Sequence, residues 1–197
     1  MKRIILATLC AMTLIGCNQQ PKTMENQAIN NILTRVSVRQ FTGEPITEAQ
    51  VDTLLRAAMA APSAVNRQPW TFVVVTDPAI IAELGAKLPY SRCENGAACA
   101  IVPCGDMTKT LDGAAADYWI QDVSAATENL LLAAHAMGLG AVWTGVYPIA
   151  ERVLMTQTIL ELPEHIIPLC VVPVGYPAEQ PAVKDKYKTE NIHYNRW

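Results

Sequence analysis

"APSAVNRQPWTFVVV" (residues 61–75) passes from the end of a helical pattern, through a polar stretch closed by Pro62 and Pro69, into an apolar run with the composition of a strand. Upstream, Thr47 and Gln50 have the spacing of a capping box, and Val51, Leu54, Leu55, Ala58 and Met59 recur at helical intervals. That helix is expected to stop before Pro62, since a residue preceding proline is pushed out of helical geometry. Downstream, Asp77 and Pro78 suit the N-cap and first position of the next helix. Further out, "AINNILTRVSVRQF" (28–41) puts Ile29, Ile32, Leu33 and Val36 on one side of a short amphipathic helix that runs into an extended segment. "CAIVPCG" (99–105) is a strand interrupted by Pro103. From about Ala116 to Met137 the stripe Val123, Ala126, Leu130, Ala134 and Met137 marks a central core helix, stopped at Gly138. "AVWTGV" (141–146) and "IIPLCVVPVGY" (166–176) are expected strands, with a weaker helix from near Ile149 between them. The Gly-rich turns of a doubly wound sheet are missing, so the pattern predicts an α+β fold with helices around a small sheet.

At 197 residues, 51% hydrophobic and 17% charged, the chain suits one domain. Residues 1–16, "MKRIILATLCAMTLIG", place Lys2 and Arg3 before an apolar run too short to span a bilayer comfortably, the pattern of a signal peptide. Its end, "LIGC", resembles the lipobox of bacterial lipoproteins, which implies lipidation of Cys17 and a membrane tether. The competing reading is a short N-terminal helix with a buried cysteine. Residues 17–28 then form the lipidated cysteine and a polar spacer, and residues 29–197 the domain. Removing the leader leaves 13 Lys and Arg against 18 Asp and Glu, which argues against nucleic acid. The remaining cysteines, Cys93, Cys99, Cys104 and Cys170, form no Cys-x-x-Cys pair, and no histidine stands at zinc-ligand spacing. A local Cys93–Cys99 disulfide is left open by the sequence.

Polar groups concentrate in four places: Arg35, Ser37 and Arg39; residues 62–68; Thr144 and Gly145; and Lys184 with Lys186. In an extended segment Arg35, Ser37 and Arg39 project to one side. Two guanidiniums beside a hydroxyl suit a phosphate monoester, and the two lysines could complete such a site. Taken singly, the first group is a solvated helix end and the second a charged tail. Ser63, Asn66 and Gln68 offer mixed donors and acceptors between the conformationally fixed Pro62 and Pro69, which suits a heteroaromatic ring; the plainer alternative is an Asx-type turn. Gly145 would let backbone N–H groups come close to such a ring.

Four motifs, "RVSVRQF", "APSAVNRQPWTFVVV", "NLLLAAHAMGLGAVWTGVYP" and the closing "PVGYPAEQP" with "KDK" and "HYNRW", stand in the order found in the nitroreductase family of flavin enzymes, which the chain resembles from about Ile29 to Trp197. The resemblance implies an intertwined homodimer with FMN at its interface. It assigns Arg35, Ser37 and Arg39 to FMN phosphate and ring contacts, and Pro62, Ser63, Asn66 and Gln68 to the ring and ribityl chain. Thr144 and Gly145 fall near flavin N5 and O4, and Lys184 and Lys186 at the phosphate. The family often has a second arginine where this chain has Val36, and arginines where it has Lys184 and Lys186.

"GLGAVWTG" is not a dinucleotide fingerprint, since it follows a helix and leads into a strand. Ser63 lies in no nucleophile elbow. His135 is expected to be a packed or partly exposed residue of the central helix rather than an acid-base group, and His193 to serve a dimer contact; Tyr118 and Trp119 could cap a flavin-side pocket, with core packing the expected role. The expected function is hydride transfer from NADH or NADPH through flavin N5 to a quinone, nitroaromatic or similar acceptor, in ping-pong order, without a catalytic side chain. The alternatives are an envelope-tethered flavin electron carrier facing the periplasm and serving a protein partner, and a reductive dehalogenase-like member of the family.

Overall fold

The computed structural model describes residues 26–88 and 90–197; the signal peptide expected over residues 1–16 and the expected lipidation site at Cys17 lie outside the described residues. Helix α1 (Gln27–Thr34) is capped by the Asn26 side chain. Helix α2 (Glu48–Met59) begins with the reciprocal bonds of the expected box: Gln50 N donates to Thr47 Oγ1 at 3.2 Å and Thr47 N to Gln50 Oε1 at 2.8 Å. Strand β1 (Trp70–Val75) leads to α3 (Pro78–Lys87), whose cap is Asp77, as expected. Then come β2 (Cys99–Asp106), the central helix α4 (Tyr118–Ala136), β3 (Gly140–Ala141), β4 (Thr144–Gly145), α5 (Ala150–Ile159), β5 (Ile166–Pro168) and β6 (Cys170–Gly175). Every strand pairing among the described residues is antiparallel, in the order β1-β2-β6-β3, with β5 on β2 and β4 on β6.

Two expected single strands are each divided. In "IIPLCVVPVGY" the break is at Leu169, whose N–H donates to Pro103 O at 2.9 Å. Here β2 changes neighbour, from β6 at Ile101 to β5 at Cys104, and the expected interruption at Pro103 does not occur: β2 runs through it opposite Phe72 of β1, its missing donor falling in the gap between β6 and β5. In "AVWTGV" the chain leaves the sheet after Ala141 and returns at Thr144.

Side chains alternate across the pleat and fill two cores. On one face Cys99 and Ile101 of β2 pack with Leu54 and Ala58 of α2 and with Val123, Ala126, Leu130 and Ala134 of α4. On the other, Ala100, Val102 and Cys104 pack with Ile81 and Leu84 of α3, with α5 alongside. Helix α4 ends as its glycine demands: Gly138 has φ 72°, Leu139 N donates to Ala134 O at 2.8 Å and Gly138 N to His135 O at 3.0 Å. Cys93 belongs to one core and Cys99 to the other, and Cys93, Cys99, Cys104 and Cys170 are all free buried thiols. The apolar face of α1 has no cover among the described residues, with Ile29, Ile32 and Leu33 exposed. Among the described residues, no helix is long and apolar enough to cross a membrane.

Candidate functional site

Arg35 ends α1 in an extended conformation and starts a segment that crosses the sheet margin. Val38 N donates to Ala141 O at 3.1 Å, and the Val38 side chain is buried against Gly140, where a Cβ would meet it at 2.7 Å. Asn95 Nδ2 donates to Arg39 O at 2.9 Å, and Phe41 N to Asn95 O at 2.9 Å. With Val38 turned inward, Arg35, Ser37 and Arg39 line a cavity of about 900 Å³. The same cavity is lined by Lys184 and Lys186 from the far end of the chain. The alternation is not that of a strict strand, because Val36 also lines it.

Glu128 and Asp185 add two carboxylates to these four cations, leaving a net charge of about +2. Arg35 Nε donates to Glu128 Oε1 at 3.1 Å. Arg39 is freer: its Nη1 makes a long contact of 3.4 Å to Ser37 O, while its backbone N donates to Glu179 Oε1 at 2.9 Å. Behind this cluster His135 Nε2 lies 3.0 Å from Thr34 Oγ1. Burial, and then the nearby Arg35 charge, lower the His135 pKa, so the ring favours its neutral form.

Residues 62–69 form a separate turn. A single 3-10 turn, Ala64–Asn66, follows Ser63, and Val65, Asn66 and Gln68 have φ of 50°, 56° and 50°. Ser63 Oγ accepts from Gln68 N at 2.9 Å, and Asn66 Oδ1 accepts from Gln68 Nε2 at 2.9 Å. The turn chemistry is therefore real, yet Asn66 Nδ2 and Gln68 Oε1 have no hydrogen-bond partner among the described residues. Ala64 N donates to Asp122 Oδ1 of α4 at 2.9 Å.

Thr144 and Gly145 pair with Val171 and Cys170 of β6. Thr144 Oγ1 donates to Val171 O, and Gly145 O accepts from Arg152 Nη1 at 3.1 Å. Gly145 is exposed, and a Cβ there would meet nothing within 4 Å, so no neighbour among the described residues accounts for the missing side chain. Trp119 packs in the core with its ring edge-on to Tyr147, centroids 5.0 Å apart, whereas Tyr118 is 47% exposed and escapes its expected core role.

The cavity thus unites Arg35, Ser37, Arg39, Lys184 and Lys186, but its lining includes neither Pro62, Ser63, Asn66 and Gln68 nor Thr144 and Gly145. Asp122 and Glu128 were missed from sequence. Their signal was present: two carboxylates within the largely apolar "YWIQDVSAATENLLLAAHA".

The nitroreductase family model matches residues 32–89 and 86–176. A Methanothermobacter thermautotrophicus protein, provisionally named an NADH dehydrogenase/NAD(P)H nitroreductase, is 40% identical over 177 residues, covering 89% of this chain and 91% of its own. The crystal structure of a Parabacteroides distasonis protein with the same provisional name superposes with a TM-score of 0.83 at 46% identity, covering 88% of this chain and 100% of that one. A provisionally named nitroreductase from Desulfovibrio desulfuricans, crystallised with FMN, superposes at 0.73 with 29% identity, covering 88% and 99%. The chain belongs to the nitroreductase family.

Proposed function

We propose that the protein is an FMN-dependent oxidoreductase that takes hydride from NADH or NADPH and passes it to a quinone, nitroaromatic or similar small acceptor in ping-pong order. The observation that carries this reading is the cavity itself, which gathers Arg35, Ser37, Arg39, Lys184 and Lys186 from opposite ends of the chain. Its net charge of about +2 balances a phosphate monoester, which carries roughly −1.5 to −2 at neutral pH. The unpartnered amide atoms of Asn66 and Gln68 suit a ring bearing carbonyls and N–H groups, and the open space over Gly145 suits its close approach. When bound, FMN would supply a ring able to accept hydride and give up two electrons, chemistry the chain's own side chains lack.

The chain's own residues then have distinct tasks. Arg35, Ser37, Arg39, Lys184 and Lys186 hold the phosphate. Pro62, Ser63, Asn66 and Gln68 orient the ring, and the β4 backbone at Thr144 and Gly145 meets the N5–O4 edge. No side chain acts as nucleophile. The complete site belongs to a homodimer, a reading supported by the apolar surface one chain leaves in water: Ile29, Ile32 and Leu33 on α1, and Tyr187, Tyr194 and Trp197 in the C-terminal arm.

The leader supports a second element of the proposal: cleavage before Cys17, lipidation there, and anchorage in the cell envelope facing the periplasm. Nicotinamides are scarce in that compartment, so the leader favours a protein electron donor as the alternative to NADH or NADPH. Anaerobic mixing of purified residues 18–197 with each nicotinamide tests both. A flavin spectrum that bleaches supports the reductase, a flavin that stays oxidised supports a partner donor, and a colourless protein that takes up no FMN refutes both. Acyl-chain labelling that survives Cys17→Ser would refute the anchor.

A further inference from the structure

We propose that Asp122 is a positioning residue that holds the 63–68 turn in its cofactor-ready shape, an inference that rests on the flavin reading above. Asp122 stands on α4 next to Val123 and one turn from Ala126, both fully buried, and is itself only 6% exposed. A carboxylate in such a place is costly unless it is hydrogen-bonded or paired with a cation. No cation pairs with Asp122 among the described residues; its hydrogen bond comes from the N–H of Ala64. Ser63, in the N-cap position of the 3-10 turn, makes no side-chain cap bond, so the cap is supplied from α4 instead.

The turn needs that hold. Val65 is β-branched and sits at φ 50°, a region such residues rarely adopt, and at 82% exposure its side chain gains little packing in return. Asn66 and Gln68 share the left-handed region. Backbone of this kind persists when its surroundings over-determine it, and it clusters at ligand clamps. Gln68 N to Ser63 Oγ and Asn66 N to Ser63 O close the turn on itself, while Ala64 N to Asp122 Oδ1 fastens it to the central helix. Asp122 does not line the cavity; it acts through the backbone that carries Ser63, Asn66 and Gln68.

The test measures amide hydrogen exchange over residues 63–68 in FMN-free protein and FMN affinity by titration, on the same preparations. Asp122→Asn keeps a carbonyl acceptor and is expected within about threefold of the parent in both, whereas Asp122→Ala should exchange about tenfold faster in the turn and bind FMN about tenfold more weakly. Protection of β2 and β6 should be unchanged. Exchange in the alanine variant that equals the parent, or that accelerates evenly across α4 and the sheet, overturns the proposal; so does an asparagine variant as poor as the alanine one. Should Asp122→Ala fail to fold, Ala64→Pro removes the donor instead, and Ser63 at φ −140°, ψ 156° already has the conformation a residue before proline adopts. Unchanged exchange in that variant overturns the proposal as well. A parent protein that takes up no FMN refutes the flavin reading, while the exchange comparison still decides what Asp122 does to the turn.

Discussion

Arg39→Ala should separate the proposed phosphate grip from the fold. The Arg39 side chain is exposed, and its contact to Ser37 O, at 3.4 Å, is too long to contribute much. Its removal should therefore cost stability within about 0.5 kcal/mol, as surface substitutions usually do. Arg35 is a poorer probe, because its side chain is 16% exposed and its loss leaves Glu128 without its cation. A hydrogen bond to a charged group contributes about 1.5–3 kcal/mol, so losing one phosphate contact should weaken FMN binding about 10- to 150-fold. The assay is quenching of flavin fluorescence on titration of the apoprotein, run with FMN and with riboflavin, which lacks the phosphate. The parent should prefer FMN strongly, and Arg39→Ala should lose much of that preference while riboflavin affinity and Tm stay put. Added salt should shrink the FMN difference, because the charges are partly exposed. Undiminished FMN affinity, or an equal loss for riboflavin, would refute the phosphate assignment.

Gly145→Ala should leave Tm nearly unchanged, since the new Cβ meets no protein atom and φ lies outside the left-handed region, yet weaken FMN binding; calorimetry beside a flavin titration checks both. Gly140→Ala should do both kinds of damage, because its Cβ would push Val38 and with it Ser37 and Arg39. Leu130→Ala, in the fully buried stripe of α4, should cost about 2–5 kcal/mol by denaturant unfolding. The buried thiols should resist alkylation in native protein at pH 8: burial raises Cys99 to about 11 and Cys93 and Cys104 to about 12, and Cys170 also upward. Folded pKa values above the reference of 9.0 mean that the native state holds protons the unfolded chain releases, so stability should be full below pH 9 and fall as pH rises toward 11–12.

What was legible in the sequence was mostly local. The Thr47–Gln50 box, the Asp77–Pro78 start and the Gly138 stop each depend on residues within one turn of one another, and each forms as read. The α4 stripe was legible because its period is set by burial. The division of "IIPLCVVPVGY" was not, because it depends on which strand lies opposite Pro103. Nor did the sequence tell that Cys93 and Cys99, six positions apart, lie in different cores. Within the site, the residue types of each motif pointed to a phosphate and a ring, but only the tertiary arrangement shows Lys184 and Lys186 meeting Arg35, Ser37 and Arg39. Asp122 and Glu128 were hidden by their helix, whose apolar periodicity dominates the pattern.

The C-terminal arm has little of its own to stand on. Ala178 N donates to Gln40 O and Glu179 accepts from Arg39 N, but beyond Glu179 the hydrogen bonds among the described residues are all to near neighbours in sequence. The cavity lining at Lys184 and Lys186 belongs to this arm. A ligand shared by both ends of a chain acts as a staple: FMN at a hundredfold excess over its Kd would add about 2.7 kcal/mol to the folded state. It would also make cleavage of the arm by trypsin a gauge of cofactor loading. In a cell short of flavin, the protein would lose its tail to proteolysis first and its fold afterwards.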